Sequence, residues 1–406
     1  MLPSRYKAGI LSYVLAVGIL ISGMLSAMIF YLYYTRMEVI TYQKKIDVME
    51  NLDQAVKISL ASGNSFEYHR TYHYDLYGNE RDSISILKQK WGCFDLFKVA
   101  SHRDHIIQHK TYLTGHQLSS KGRSAIYLPD EGQALSLAGK TKITGDCYLP
   151  LAGVQSAYIN QIGYQNKQLI YGKRKRSAKL PKIQTKEIYQ SFEDSGFEKT
   201  YSLSYSVDHS FISDRITISH DGLVTGDVRG NVLIRSSGRI VFDSLAHCED
   251  VIVFAPVIEF LPGFEGNGQF LASDTIIVRP KVRLNYPSVL ALYNERDVGM
   301  IKLFEKSKVT GWVIVDGEDG GFRRRQVYIE DTAILEGMVY CNGLLENYGS
   351  IWGNATVKKF LVNSSRGRFE NYIFNGEINA LKLDSSFVTL PGWFFKERAE
   401  VLQYLK

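Results

Sequence analysis

A repeat of 19 residues runs through the second half of this 406-residue chain. The run Asn231-Val-Leu-Ile234 recurs as Asp250-Val-Ile-Val253, Gln269-Phe-Leu-Ala272 and Ser288-Val-Leu-Ala291, and each copy starts 19 residues after the one before. A second run keeps the same step, at Arg239–Phe242, Ile258–Leu261 and Ile277–Pro280. Short apolar runs at a fixed period near 20, with no helical segment between them, predict a parallel β-helix, or β-solenoid.

The repeat also predicts ladders of like residues inside the β-helix. Coils stacked about 4.8 Å apart would place Val232, Val251, Phe270 and Val289 directly above one another. A leucine-rich repeat is excluded because LxxLxLxxN is absent, and a β-propeller needs a period near 40 or more. Beyond Tyr293 the pattern continues as apolar residues on either side of a glycine, at Gly311, Gly337, Gly353 and Gly376.

We predict the following organisation around this repeat. The piece Ile143-Thr-Gly-Asp146 returns as Val224-Thr-Gly-Asp227, so the β-solenoid is expected to span 135–390, with an insertion at about 160–212. An irregular β-rich region at 64–134 precedes it. The tail at 391–406 is predicted to be a helical cap, because apolar residues recur at helical spacing at Phe395, Ala399, Leu402 and Leu405.

The N-terminus carries the membrane signal. Residues 9–34 include no charged side chain, and about 20 apolar residues suffice for a helix to cross a bilayer. No Pro or Gly follows until Gly63, so 1–63 is predicted to be an anchor and stalk helix, with a cleaved signal peptide as the alternative. Beyond the membrane a heptad-like stripe is predicted at Val39, Tyr42, Ile46, Met49, Val56 and Leu60.

The anchor helix predicts where the C-terminal domain lies and which partners the helix contacts. Lys and Arg are balanced on its two sides, so the short N-terminus and the large β-rich remainder decide for a periplasmic or extracellular C-terminal domain. The expected partners are membrane lipid along residues 9–34 and other copies or other helices. The small residues Gly18, Ser22, Gly23 and Ser26 would permit such helix packing.

The sequence predicts no enzyme. Asp227, Asp250 and Asp274 are not one repeat apart, and no nucleotide loop or nucleophile motif occurs. His102, His105 and His109 lie where two strands are predicted to meet near residues 101–104, and strand geometry would place His102 and His105 on opposite faces. No catalytic residue, cofactor or metal site is therefore predicted.

One basic run stands out in a chain whose net charge is only +6. Lys173, Arg174, Lys175 and Arg176 are either a solvated loop or a contact for an anionic partner such as phosphate, anionic lipid or polysaccharide. Nucleic acid is excluded as a partner of this run, because the domain is predicted to lie on the extracytoplasmic side of the membrane. The four cysteines lack CxxC spacing, so buried free thiols are favoured over a Cys93–Cys147 disulfide.

The N-terminal segment resembles the start of type IV pilin-like proteins, or pseudopilins. Arg5-Tyr-Lys-Ala-Gly9 is followed at once by the apolar run from Ile10. In that family a short basic leader ends in Gly, a dedicated peptidase cuts after it, and the helix packs into a filament. The resemblance implies cleavage between Gly9 and Ile10, with a plain signal-anchor as the alternative. The family usually has Glu at the fifth mature position, where Val14 stands here, although some tip-forming minor members lack it.

The glycine-punctuated segments resemble the polymer-forming β-helix of bactofilins, in pattern only, which implies a fold rather than a function. Together these features predict a membrane-anchored extracytoplasmic β-helix protein. Its expected role is structural or in assembly of the cell envelope, as a minor pilin-like subunit or beside another envelope protein. The alternative is a surface β-helix protein that binds or degrades polysaccharide.

Overall fold

The chain is mainly β-strand with one long N-terminal helix in the computed structural model, as the sequence predicts. The structure describes residues 9–78, 82–183, 185–193, 206–296, 298–318, 324–394 and 396–405. The chain forms two compact units. Unit 1 comprises Met1–Ser59, Thr71–Leu87 and Val99–Lys110, and unit 2 comprises Leu60–Arg70, Lys88–Lys98 and Thr111–Lys406.

The elements of the described residues follow in chain order. The two α-helices are α1 (Gly9–Ala61) and α2 (Thr185–Glu193), and short 3-10 turns lie at Gly63–Ser65 and Ala380–Lys382. The strands are β1 (Thr71–Asp75), β2 (Asp82–Trp91), β3 (Phe94–Arg103), β4 (Ile106–Leu118), β5 (Ile126–Tyr127), β6 (Leu135–Ala138), β7 (Lys142–Thr144), β8 (Cys147–Leu149), β9 (Val154–Ser156), β10 (Tyr158–Ile159), β11 (Ile162–Gly163), β12 (Arg174–Arg176), β13 (Val207–His209), β14 (Ile216–Ser219), β15 (Gly222–Val224), β16 (Val228–Arg235), β17 (Arg239–Phe242), β18 (His247–Phe260), β19 (Glu265–Val278), β20 (Arg283–Tyr293), β21 (Val298–Leu303), β22 (Lys308–Asp316), β23 (Arg324–Ile329), β24 (Ile334–Asn347), β25 (Ser350–Ser364), β26 (Gly367–Glu370), β27 (Tyr372–Phe374), β28 (Glu377–Asn379), β29 (Val388–Thr389) and β30 (Lys396–Leu405).

In unit 1 the second half of α1 packs on a β-hairpin. Lys44 pairs with Asp104 at 2.5 Å, Asp47 pairs with Arg103, and Asp53 pairs with Lys110, so three ion pairs join the helix to the β3–β4 hairpin. The Asn51 amide also donates to Asp82 on β2. The described helix therefore does not end in a free stalk.

The buried face of α1 is not the predicted stripe. The residues buried in unit 1 are Val48, Asn51, Leu52, Ala55, Val56 and Ser59, so Val56 alone is shared with the stripe. Tyr42 and Met49 are 68% and 58% exposed. Packing of the stripe against other helices stays a prediction, because the hairpin covers a different face of α1.

An antiparallel sheet has the strand order β1-β2-β3-β4-β29, and β30 also pairs with β4. The region predicted to be irregular thus holds long, regular strands, and the predicted hairpin between Trp91 and Leu113 is confirmed by β3 and β4. The predicted C-terminal helix is wrong, since Lys396–Leu405 is a strand. Register shifts at Lys396/Ala399 and Val401/Gln403 interrupt its alternation and imitate helical spacing in the sequence.

The largest sheet is parallel, and part of it closes on itself. One inner row of paired residues, all fully buried, runs through Ile234, Val253, Phe270, Leu290, Val313, Val339, Ala355 and Ile126. The pairing of Val232 with Val251 is confirmed. Phe270 pairs with Val253 and Val289 with Gln269, so the rest of that predicted ladder is wrong. Bulges between Cys248 and Val251 and between Gly266 and Gln269 change the step.

The second repeated run, which starts at Arg239–Phe242, has a period one residue shorter than the predicted 19. Arg239 pairs with Val257, and Ile240 rather than Arg239 pairs with Ile258. A slip of one residue moves each side chain to the other face of a strand. Gly311, Gly337 and Gly353 do stack in register, as their shared pattern suggested, whereas Gly376 lies beside Asn347 outside that row.

The order of strands along the parallel sheet differs from the order of the chain. Strand β25 pairs with β5, β5 with β8, and β8 with β12. Along the parallel sheet, the segment around Ile143 therefore lies beyond β25, which ends at residue 364. It is not an early coil of the repeat before residue 216. Between them the chain forms α2, where the Tyr189 hydroxyl donates to the Ala291 carbonyl at 2.5 Å. The predicted insertion at 160–212 thus includes both a sheet strand and this helix.

Two large apolar clusters of described residues stabilise unit 2. The first is the interior of the parallel sheet. The second joins its outward residues, such as Leu233 and Trp312, to Phe94 and Trp393. The buried side chain of Gln269 also fastens the β2–β3 turn, because it accepts from the Cys93 N–H at 2.6 Å and donates to the Trp91 carbonyl at 2.9 Å.

Candidate functional site

A cleft of about 480 Å³ opens in unit 2 beside the β2–β3 turn. Its described lining includes aromatic faces at Tyr68 and Phe192, cations at Lys90 and Arg215, and the carboxylate of Glu187. A smaller cleft shares Lys90 and Arg215. Mostly apolar walls with a few polar groups are typical of small-ligand sites.

A buried carboxylate organises the cationic side of the cleft. Asp95 is 7% exposed, and it pairs with Lys90 at 2.7 Å and with Lys88 at 3.4 Å. The Tyr68 hydroxyl donates to Asp95 at 3.0 Å. Burial alone would raise the pKa of Asp95, but the charges of Lys90 and Lys88 bring that pKa below its ordinary value. One carboxylate thus neutralises only one of two ammonium groups.

His116 adds a neutral imidazole to the region. Burial and then the charge of Lys396 lower the pKa of His116 to about 4, so the ring carries no charge at neutral pH. Its Nδ1 atom is buried with no hydrogen-bond partner among the described residues. Cys93 lines the cleft as a thiol, because burial raises its pKa to about 12. These groups suit binding better than nucleophilic attack.

Three of the four residues of the predicted basic run lie on a strand and not in a loop, and Lys173 precedes that strand. Arg174–Arg176 forms β12, whose residues are exposed and which pairs in parallel with β8. Lys175 pairs with Asp146 at 2.8 Å, and Arg176 lies 3.6 Å from Asp130. The hydrogen bond from Lys175 lowers the pKa of Asp146.

The other predicted residues are apart from the cleft. Gly9 and Ile10 are the first two residues of α1, while residues 1–8 lie outside the described chain. All four cysteines are free and buried, which confirms the favoured interpretation. His102 lies on β3, His105 in the turn and His109 on β4. The described residues contain no group of three or more His, Cys, Asp or Glu side chains that could hold a metal ion.

The cluster of Asp95 with Lys88, Lys90 and Tyr68 was not predicted from the sequence. A signal was present in Lys88-Gln-Lys-Trp-Gly-Cys-Phe-Asp95, because a tight turn at Gly92 brings the residues on its two sides together. Gly92 has φ +61°, a conformation that favours glycine. Sequence alone did not indicate that the turn would be buried.

The described chain is thus a mainly β protein with a cationic, aromatic cleft and one helix, α1, that is long and apolar enough to span a membrane. Comparisons with protein-family models, with curated proteins and with solved structures give no match.

Proposed function

We propose that this chain is a single-pass membrane protein that holds a β-solenoid outside the membrane and serves an assembly or structural role in the cell envelope. The observation that carries the proposal is the apolar half of α1. Its most apolar stretch has none of its surface buried by the rest of the chain, and a bilayer would cover that surface. The narrower form of the proposal is a minor pilin-like subunit.

The β-solenoid assignment draws on the parallel pairings. Each strand from β16 to β25 pairs with an equivalent strand further along the chain, and buried residues repeat along the inner row. Stacked repeats of this kind present long, regular outer faces, which suits a scaffold that partners contact.

Membrane extraction tests the anchor. The full chain should remain in the membrane pellet after an alkaline carbonate wash. A Leu20→Lys, Ile21→Lys variant should be released, because two charges in a spanning helix are costly. Leu381→Lys, at a position that is 78% exposed in unit 2, is the matched control and should stay in the pellet. Release of the wild-type chain by the wash would refute the proposal.

Two further measurements test the predicted cleavage of the N-terminus and the side of the membrane on which the β-domain lies. Mass spectrometry of the mature protein should find Ile10 first if the pilin-like form is correct, and an intact Met1 would refute that form alone. Protease added to spheroplasts should digest the β-domain. Full protection of the β-domain would place it on the cytoplasmic side.

A second candidate function is polysaccharide binding, which the cleft favours. Its volume of about 480 Å³ is within the usual range for ligand sites, and an aromatic face beside cations suits an acidic sugar. Tyr68→Ala should then weaken binding of polygalacturonate about tenfold, whereas Tyr158→Ala, at a position that is 78% exposed, should leave it unchanged. Equal effects of the two variants would remove this candidate, and release of reducing sugars would favour its degrading form.

A further inference from the structure

Strand β12 is the last strand of the parallel sheet at one end. The inner row continues from Ile126 to Cys147 and then to Arg174, and Leu149 pairs in the same way with Arg176. Cys147 and Leu149 are buried, whereas Arg174 and Arg176 are exposed. The apolar row thus ends in two guanidinium groups. Inward charges on an edge strand oppose the addition of another apolar strand.

The free edge of β12 still offers main-chain hydrogen bonds. The Cys147 N–H donates to the Lys173 carbonyl at 2.9 Å, and the Ser177 N–H donates to the Leu149 carbonyl at 2.8 Å. In a parallel ladder alternate residues bond to the same neighbour, so the main-chain groups of Arg174 and Arg176 face the opposite side. Among the described strands, β12 pairs with β8 alone, so that side has no neighbouring strand.

The charge of this edge is only partly neutralised. Asp146 and Asp130 pair with Lys175 and Arg176. The side chains of Lys173 and Arg174 are exposed and make no ion pair with the described residues. Lys121 adds a further cation, 5.0 Å from the ring centroids of Tyr127 and Tyr148 on the preceding strands.

We propose that β12 is a docking edge for an extended acidic segment of a partner protein, which adds to the sheet as its next strand. Main-chain hydrogen bonds would supply affinity, and acidic residues at alternate positions would face Arg174 and Arg176. An apolar strand would leave both guanidinium groups desolvated without a partner, so it is rejected. The inference deepens the assembly role proposed above and rests on it only for the existence of such a partner.

Fluorescence anisotropy on the detergent-solubilised full chain tests the docking edge. The probe is a labelled peptide in which Glu alternates with Thr and Val, and the same peptide with Lys for Glu is its control. We expect the Glu peptide to bind and Arg174→Glu to weaken it about tenfold or more. Lys281→Glu carries the same charge change on an exposed turn and should have no effect.

Two further variants separate strand addition from simple charge attraction. Arg174→Gln removes the side-chain charge and keeps the main-chain N–H, whereas Arg174→Pro removes both. Neither substitution removes a main-chain hydrogen bond between β12 and β8. We expect Arg174→Pro to abolish binding and Arg174→Gln to weaken it only about threefold. Retained secondary structure by circular dichroism verifies that both variants fold.

Three results would overturn the proposal: absence of binding, equal binding of the Lys peptide, or equal behaviour of Arg174→Pro and Arg174→Gln. Displacement of the peptide by polygalacturonate together with that last result would assign the edge to polysaccharide instead. Membrane extraction is independent of all three, so a chain that stays in the membrane and fails to bind the peptide refutes the docking edge alone.

Discussion

Gly337 has no room for a side chain in the row of glycines that stack in register in the parallel sheet. It pairs with Gly311 and Gly353, and its φ of +145° is one that other residues rarely adopt. A Cβ atom there would lie 1.9 Å from the Gly311 carbonyl oxygen. The sequence predicted this row from the shared apolar-Gly-apolar pattern but could not reveal that the backbones approach so closely.

Gly337→Ala should therefore be strongly destabilising. We expect a loss of about 4 kcal/mol or more in the free energy of unfolding, because both the φ angle and the neighbouring backbone oppose a Cβ atom. Urea unfolding in detergent measures it. Gly392→Ala, where nothing lies within 4 Å of the added atom, should change little. Equal stability of the two variants would contradict the close backbone stacking.

The carboxylate of Asp250 lies in a buried position that disfavours its charged form. Burial raises its pKa from 3.8 to about 6, despite hydrogen bonds from Gln403 and Asn267, and nearby Glu249 adds to the effect. The Gln403 amide donates to both oxygens of Asp250, at 3.2 and 3.0 Å, while Gln403 Oε1 is buried with no hydrogen-bond partner among the described residues. A protonated carboxyl could donate to that oxygen.

Asp250→Asn should stabilise the protein at neutral pH. Because the folded pKa of Asp250 is above its unfolded pKa, the contribution of Asp250 to stability is greatest below about pH 4 and is lost as the pH rises to about 6. We expect the variant to gain about 1–3 kcal/mol at pH 7 and nothing at pH 4. Thermal unfolding at the two values measures this difference, and a gain that is independent of pH would contradict the buried charge.

Among the elements, α1 combines two environments in one uninterrupted helix of 53 residues. Its first half has the composition of a membrane span, and its second half is fastened to the β3–β4 hairpin. The helix was predicted correctly, because its apolar first half and the absence of Pro and Gly from residues 35–61 are local properties of the sequence. The face that it buries depends on a hairpin some 60 residues away, which local periodicity cannot show.

Arg103→Gln should loosen the second half of α1 without unfolding unit 2. Arg103 contacts both Asp47 and Asp82, and partly exposed ion pairs contribute about 0.2–1 kcal/mol each. We expect faster amide hydrogen exchange in residues 47–59 and unchanged exchange in β18 and β19. Arg70→Gln, which breaks the exposed Glu67–Arg70 pair in unit 2, is the control. Unchanged exchange in both variants would show that the ion pairs do not fasten the helix.

Across the whole molecule, the joint between β25 and β5 links segments far apart in sequence. Asn354 is 1% exposed, and its amide donates to the Ser124 carbonyl at 2.7 Å and to the Ser124 hydroxyl at 3.2 Å. Ala355 pairs with Ile126 beside it. The 19-residue period predicted a parallel sheet but not this joint, because β5 and β8 are too short to reveal where in the sheet they pair.

Asn354→Ala should weaken that joint selectively. Removing the amide deprives the buried Ser124 carbonyl of its hydrogen bond from Asn354, at a cost of about 1–3 kcal/mol. Hydrogen exchange should rise in residues 125–149 more than in residues 247–278. Asn285→Ala, which removes an exposed side-chain bond to Glu265, should alter neither segment. A uniform rise across the parallel sheet would contradict a local joint.

The same strand order governs how a newly made chain can mature. Ile126 and Tyr127 leave the ribosome long before Ala355 and Thr356, with which they pair. Until then their apolar side chains have no lasting cover, and long-range closure of this kind is slow and exposed to aggregation. Chaperone protection after synthesis would thus fall on a middle segment, while the repeats that follow it assemble in the order in which they emerge.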